Sequence, residues 1–311
     1  MNNFWLKLKK PIIALAPMAG ITDSSFRIIC KEYGADVLYT EMVSAAGLTF
    51  EGAKTLKYLK FKNEEKPVAL QLFGSNPEQF AKAAKMVERA GFSGIDINFG
   101  CPAKKVVQNQ SGCTLMNNLD NAYAIIKATC EATSLPVSIK MRKSKGKTTA
   151  SMFVDKVKDL PIQAIMIHGR SFEQGFTNDP TWEEIIKVRK IYKGILLANG
   201  GIYTPEEAKK VLEITKADGI GLAQGAWGKP WLFKQVKDYL KNGKYTELDW
   251  PDVKKVIIKH AKLSVKDKDN LIELRKHLLW YVKGHPQAKE LKKELVQITA
   301  LKDIQSILIK Y

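Results

Sequence analysis

The chain repeats one pattern eight times: a short apolar run ending in a polar or glycine-rich tip, then a longer stretch with helical spacing. The apolar runs are Ile12–Met18, Asp36–Met42, Pro67–Gly74, Gly94–Gly100, Pro136–Arg142, Ala164–Arg170, Gly194–Gly201 and Gly219–Gly225. Helix start signals stand between several of them. Ser75-Asn76-Pro77 precedes Glu78–Ala90, Asn118 precedes Leu119–Thr133, Pro180-Thr181 precedes Trp182–Tyr192, and Thr204-Pro205-Glu206 precedes Glu207–Thr215. Strands that alternate with helices pair in parallel, and eight such units predict a closed (β/α)8 TIM barrel. The rival, an open doubly wound sheet, lacks its glycine fingerprint between a strand and a helix.

Beyond about Asp249 the period changes. Val253–Val265, Leu271–Val282, Ala288–Gln297 and Lys302–Ile309 carry apolar residues three and four apart, with Pro251, Gly284 and Pro286 as breaks. The division this predicts is a barrel over residues 1–243 and a small all-α helical domain over residues 250–311.

Composition narrows the class. With 45% hydrophobic and 26% charged residues, the chain has enough apolar side chains for a packed core, which excludes disorder as the dominant state. No run approaches the ~18 apolar residues of a membrane span, and residues 1–10 lack the apolar centre of a signal peptide, so a cytoplasmic protein without a membrane partner is expected. Cys30, Cys101, Cys113 and Cys130 form no Cys-x-x-Cys pair, and with only four His neither a disulfide framework nor a metal site is expected. A monomer is expected. The formal net charge is +18, which suits either a polyanionic partner or a lysine-rich solvated surface. Residues 244–311 hold 15 basic against 9 acidic residues, so the excess is spread over both parts.

Barrels of this kind carry their chemistry at the C-terminal ends of the strands. Period-two alternation puts Ser138, Lys140 and Arg142 on one face of their strand and aligns His168 with Arg170. Four cationic or potentially cationic groups therefore converge on one mouth. Pairing with Glu41 or Asp96 is the plain structural reading, but those carboxylates are fewer than the cations, which favours an anionic ligand. Asn199-Gly200-Gly201 and Gly225 end neighbouring strands where backbone N–H groups often hold a phosphate. Cys101 sits in a Gly-Cys-Pro turn, exposed either as a nucleophile or as a proton donor. Cys30 and Cys130 read as core fillers, and Cys113 is ambiguous.

Taken together, Leu15–Asp23, Gln71–Gly74, Asp96–Pro102 with Lys105-Val106-Val107, Ile167–Arg170 and Asn199–Ile202 resemble the flavin-dependent tRNA-dihydrouridine synthases. The stretch Leu274–Gly284 is similar to the helical domain of the bacterial B-type branch. The resemblance implies an FMN-binding barrel, a helical RNA-binding domain and NADPH as reductant. It implies reduction of the C5–C6 double bond of uridines in tRNA, with Cys101 giving the proton to C5. By position, Pro17, Met18 and Ala19 would line the flavin, Gln71 and Lys140 would bind its ring, and His168, Asn199, Gly200, Gly201, Ala223 and Gln224 would continue toward the phosphate. Asn98, Arg142 and Arg170 would meet the uridine or its phosphate, and Arg275, Lys276 and Lys283 the RNA backbone.

The chain departs from that pattern at four places. Ala223-Gln224-Gly225 stands for Gly-Arg-Gly, Cys113 for a serine, and Asn117 and Phe172 each for an arginine; Gln224, Asn117 and Phe172 predict lost positive charge around the site. Ribosomal RNA remains an alternative substrate. Two other readings compete: a flavin barrel acting on a small pyrimidine, as the dihydroorotate dehydrogenases do, and an RNA-binding protein that has lost flavin chemistry. The first leaves the +18 charge and the helical domain without a purpose, and the second leaves Cys101, Lys140 and His168 intact without a reason.

Overall fold

The computed structural model describes residues 3–268 and 271–311. Its strands are β1 (Ile12–Leu15), β2 (Val37–Ser44), β3 (Val68–Phe73), β4 (Gly94–Phe99), β5 (Val137–Arg142), β6 (Ser144–Lys145), β7 (Thr148–Thr149), β8 (Ile162–His168), β9 (Ile195–Asn199) and β10 (Gly219–Leu222). Eight of them close a parallel barrel in the order β1-β10-β9-β8-β5-β4-β3-β2. The expected (β/α)8 architecture is the observed one. Closure is made by β1 against β10, where Ile13 faces Ile220 and Leu15 faces Leu222. The short strands β6 and β7 form an antiparallel hairpin after β5. With two residues each they carry no readable alternation, and the sequence gives no signal for them.

Both faces of the strands are buried, but alternate residues serve different layers. Ile13, Leu15, Ile95, Ile97, Ile139 and Ile165 pack outward in the cluster shared with the helices. Ile12, Ala14, Val37, Tyr39, Ala69, Ala164, Met166 and Leu197 pack into the barrel interior. One or two positions further along the same inward-facing rows, the residues become polar. Gln71, Asp96, Ser138, Arg142, His168 and Asn199 are all buried there. The barrel is thus apolar at one end and polar at the C-terminal ends of its strands, where the register sets Gln71 beside Asp96 and Asp96 beside Ser138.

The helix start signals act through their side chains. Asn76 accepts from the Gln79 backbone N–H with Pro77 opening the helix Pro77–Arg89, and Thr204 with Glu207 forms a capping box on Pro205–Thr215. Pro251 does not act as a break. It lies in the first turn of the helix Trp250–Lys268, where a missing N–H costs nothing because that turn has no intrahelical acceptor for it.

The helices Trp250–Lys268, Arg275–Tyr281, Ala288–Leu295 and Leu301–Lys310 share a second apolar cluster. The helix expected over Leu271–Val282 is shorter, beginning at Arg275. The cluster also takes in Ile29 and Trp231 from the barrel side, so the helical part is packed onto the barrel. At the seam Trp227 stacks on Trp280 with centroids 4.5 Å apart, and a Cβ on Gly228 would come within 2.3 Å of the Trp280 carbonyl carbon.

Candidate active site

The polar ends of the strands enclose a cavity of about 300 Å³. The loop after β1 contributes Pro17, Met18 and Ala19 to its wall, and β3 to β5 contribute Gln71, Asn98, Cys101, Lys140 and Arg142. The opposite side is made by His168, Arg170, Asn199, Gly200, Gly201, Ala223 and Gln224. The residues that the resemblance assigns to the flavin, the uridine and the proton transfer at the barrel mouth therefore all line one cavity. Phe176, Tyr203 and Trp227 line it as well and were not expected. They come from loops beyond the strand tips, where no periodicity places a side chain.

The cations at the mouth differ in their situation. Arg142 is 2% exposed, and its guanidinium donates to the carbonyls of Gly100 (3.0 Å), Ser171 (2.7 Å) and Gly175 (2.8 Å). It ties the loop after β8 to the turn that carries Cys101. Arg170 donates from Nε to the Asn178 carbonyl at 2.7 Å, and its Nη1 lies 3.4 Å from His168 Nε2. Burial, together with the positive charges of Lys140, Arg142 and Arg170, drives the His168 pKa down to about 2. His168 is therefore a neutral ring and not one of four cations, because the charges that converge on the mouth repel a further one. Lys140 is pulled down to about 8, by burial first and Arg142 second, against the attraction of Asp96.

Cys101 is half-buried. Burial raises its thiol pKa, opposed more weakly by a backbone hydrogen bond at Ala103 and by the charges of Lys140 and Arg142. The thiol is protonated at neutral pH, which suits it to give up a proton and not to attack as a thiolate. Cys113 is buried, with its pKa pushed up to about 11, and its N–H donates to the Cys101 carbonyl at 3.3 Å. Its backbone is thereby tied to the turn that carries Cys101. Cys30 is fully buried and Cys130 partly so, with both thiols raised by burial.

The cavity fits a flavin better at one end than at the other. Ala16, Pro17 and Met18 offer an apolar surface, while Gln71, Asn98, Lys140 and a neutral His168 offer hydrogen-bonding groups and one positive charge for a planar heterocycle with a polar edge. At the far end, Gly200, Gly201, Ala223, Gln224 and Gly225 supply backbone N–H groups without a cationic side chain among them. Tyr203 there donates its hydroxyl to Gln224 Oε1 at 3.0 Å. The ammonium of Lys145, from β6, sits 3.6 Å from the centre of the Phe172 ring, a cation–π contact at one of the positions where an arginine was expected.

The residues expected to meet RNA separate. Lys276 reaches the barrel mouth, its Nζ 3.4 Å from where a Cβ of Gly20 would be. Lys283 lines a second cavity that shares Tyr203, Gln224, Gly225 and Trp227 with the first. Arg275 turns inward, donating from Nε and Nη2 to the Ile298 carbonyl, and so holds the helical part together.

A family profile described as "Dihydrouridine synthase (Dus)" matches residues 14–310. The chain is 37% identical over 287 residues to a probable tRNA-dihydrouridine synthase of Rickettsia conorii, covering 89% of this chain and 86% of that one. It is 33% identical over 306 residues to tRNA-dihydrouridine synthase B of Vibrio vulnificus, covering 96% and 94%. Among solved structures, TcOYE with pHBA superposes with a TM-score of 0.55 at 14% identity, over 83% of this chain and 94% of that one. Histamine dehydrogenase from Rhizobium sp. 4-9 gives 0.57 at 14%, over 81% and 48%. These two likenesses concern the barrel fold. With the profile spanning the barrel and the helical part alike, and the relatives nearly the whole length, the chain belongs to the dihydrouridine synthase family.

Proposed function

We propose that the protein reduces the C5–C6 double bond of specific uridines in tRNA, with FMN as its bound cofactor and NADPH as the reductant. The observation that carries this reading is that the half-buried Cys101 lines the same cavity as Lys140, in surroundings whose burial raises the thiol pKa. Pro17, Met18 and Ala19 would support the flavin ring, Gln71, Lys140 and His168 would meet its polar atoms, and Asn199, Gly200, Gly201, Ala223 and Gln224 would lead to its phosphate. Bound there, FMN supplies the hydride equivalent that C6 of the uracil ring must receive. The chain's own part is the proton for C5, which Cys101 holds and donates before regaining one from solvent. Lys140 would hold its positive charge against the edge of the cofactor ring that gains electron density on reduction. Asn98 and Arg170 would meet the uracil, while Arg142, which donates to three loop carbonyls, chiefly fixes the loops around it.

A base stacked in a duplex cannot enter a barrel mouth, so the target uridine leaves its stack, which favours loops of the RNA. The second cavity supports RNA contact beside the mouth. Trp227 and Trp280 form one wall, Trp250 another, and Lys229 and Lys283 are exposed on its edge.

The test is to map dihydrouridine across total RNA from cells with and without the gene. Loss at defined tRNA uridines is expected, restored by the native protein and not by Cys101→Ala. The Cys101→Ala protein should still take up FMN, visible as a flavin absorbance band on the purified protein. Unchanged dihydrouridine at every tRNA position in cells without a second family member would sink the proposal, and loss confined to ribosomal RNA would move the substrate.

A further inference from the structure

Beneath the residues that face the cavity lies a buried carboxylate that this chemistry does not use. Asp96, from β4, is fully enclosed. Ser138 Oγ donates to its Oδ1 at 2.6 Å and Gln71 Nε2 to its Oδ2 at 2.7 Å. The chain of bonds then continues outward. Asn98 Nδ2 donates to Gln71 Oε1 at 2.8 Å, and Asn98 Oδ1 accepts from the backbone N–H groups of Gly100 (3.0 Å) and Cys101 (2.9 Å).

Each carboxamide can face either way, since its oxygen and nitrogen are nearly the same size. The two ends of the chain remove that freedom. Backbone N–H groups only donate, so Asn98 must turn its oxygen to the Cys101 turn and its nitrogen to Gln71. An ionised carboxylate only accepts, so Gln71 must turn its nitrogen to Asp96 and its oxygen to Asn98. Both ends demand the same direction. Gln71 Nε2 carries a second hydrogen, and Gln71 lines the cavity. An apolar residue at position 96 would fill the barrel interior without the cost of a buried charge, so the carboxylate calls for a reason beyond packing.

We propose that Asp96 is a positioning residue that sets the direction of the Asp96–Gln71–Asn98 chain. It thereby presents an N–H donor of Gln71 to the cofactor and holds the turn that carries Cys101. The cofactor half rests on the proposed flavin site, whereas the Cys101 half needs no ligand.

The experiment follows two readouts on the full-length protein: FMN affinity by fluorescence titration, and the rate of Cys101 alkylation by iodoacetamide in flavin-free protein, read by peptide mass spectrometry. Asp96→Ala is expected to weaken FMN binding about tenfold and to speed alkylation at least about threefold, the scale of one or two lost hydrogen bonds. Asp96→Asn should restore both to within about twofold, because an asparagine can accept from Gln71 while donating to Ser138, keeping the direction without the charge. Asn98→Ala should speed alkylation as Asp96→Ala does, and the double variant should add nothing further, as links in one chain do. Should Asp96→Ala fail to fold, Gln71→Leu breaks the middle link and should speed alkylation equally. The proposal is overturned by effects of Asp96→Ala and Asn98→Ala that multiply, by Asp96→Asn behaving like Asp96→Ala, or by Gln71→Leu leaving Cys101 unchanged. A native protein that binds no FMN, yet shows the Cys101 coupling, would fail the flavin reading and leave the positioning role standing.

Discussion

At Lys140 burial and charge pull against each other, and the outcome can be measured. With its pKa lowered to about 8, the ammonium is mostly charged at pH 7 and mostly neutral at pH 9. If the charged form holds the flavin edge, FMN affinity should fall across that range, below the ordinary lysine region near 10.5. Lys140→Met should bind FMN on the order of tenfold more weakly and lose the pH dependence. A native protein whose titrations superimpose at the two pH values would remove the cation from the account. Gln224 offers a second residue-scale test, because among the described residues the end of the cavity it lines has no cationic side chain. Gln224→Arg is expected to tighten FMN by roughly tenfold while leaving riboflavin, which has no phosphate, unchanged. Equal gains for both ligands would place the phosphate elsewhere. These residues were legible early because their kinds are few and the strand period puts them on one face. What the period could not reveal is protonation: His168 reads as a possible cation in the sequence and is neutral in the fold, since burial first, and then the charges of Lys140, Arg142 and Arg170, disfavour its charged form.

Elements decide how tightly the barrel can close. A Cβ on Gly219 would lie 2.1 Å from the Ile12 carbonyl oxygen, at the pairing of β10 with β1. Gly219→Ala should push the closing strands apart and destabilise the fold by about 2–4 kcal/mol, read from a denaturant midpoint at unchanged slope. An unaltered midpoint would mean that the seam adapts more easily than a parallel ladder should. Gly200 has a related role nearer the site, with φ +105° and a would-be Cβ only 2.3 Å from His168 Cδ2. The eight strands and their flanking helices could be traced from apolar period and caps. The β6–β7 hairpin could not, and neither could the loops that bring Phe176, Tyr203 and Trp227 to the cavity, because their positions come from contacts with distant segments.

For the whole molecule the question is where the net charge of +18 acts. Lys276 at the barrel mouth and Lys283 on the second cavity lie between the barrel and the helical part. Each change to Gln should weaken tRNA binding and lower the slope of log affinity against log salt by about 0.7–0.9. Arg275→Gln should instead lower thermal stability and leave that slope nearly unchanged, since its guanidinium serves the Ile298 carbonyl. Slopes unaffected by either lysine would move the RNA surface elsewhere on the protein. By itself the sequence determined the eightfold alternation, the helical tail, the overall charge and the set of reactive side chains at the strand tips. These depend on local period and residue type. Only the tertiary structure decided which guanidinium groups are spent on carbonyls, that His168 is neutral, and that a chain of amides links a buried carboxylate to the Cys101 turn. Those properties belong to groups brought together from separate strands and loops, where burial and neighbouring charge set what each can do.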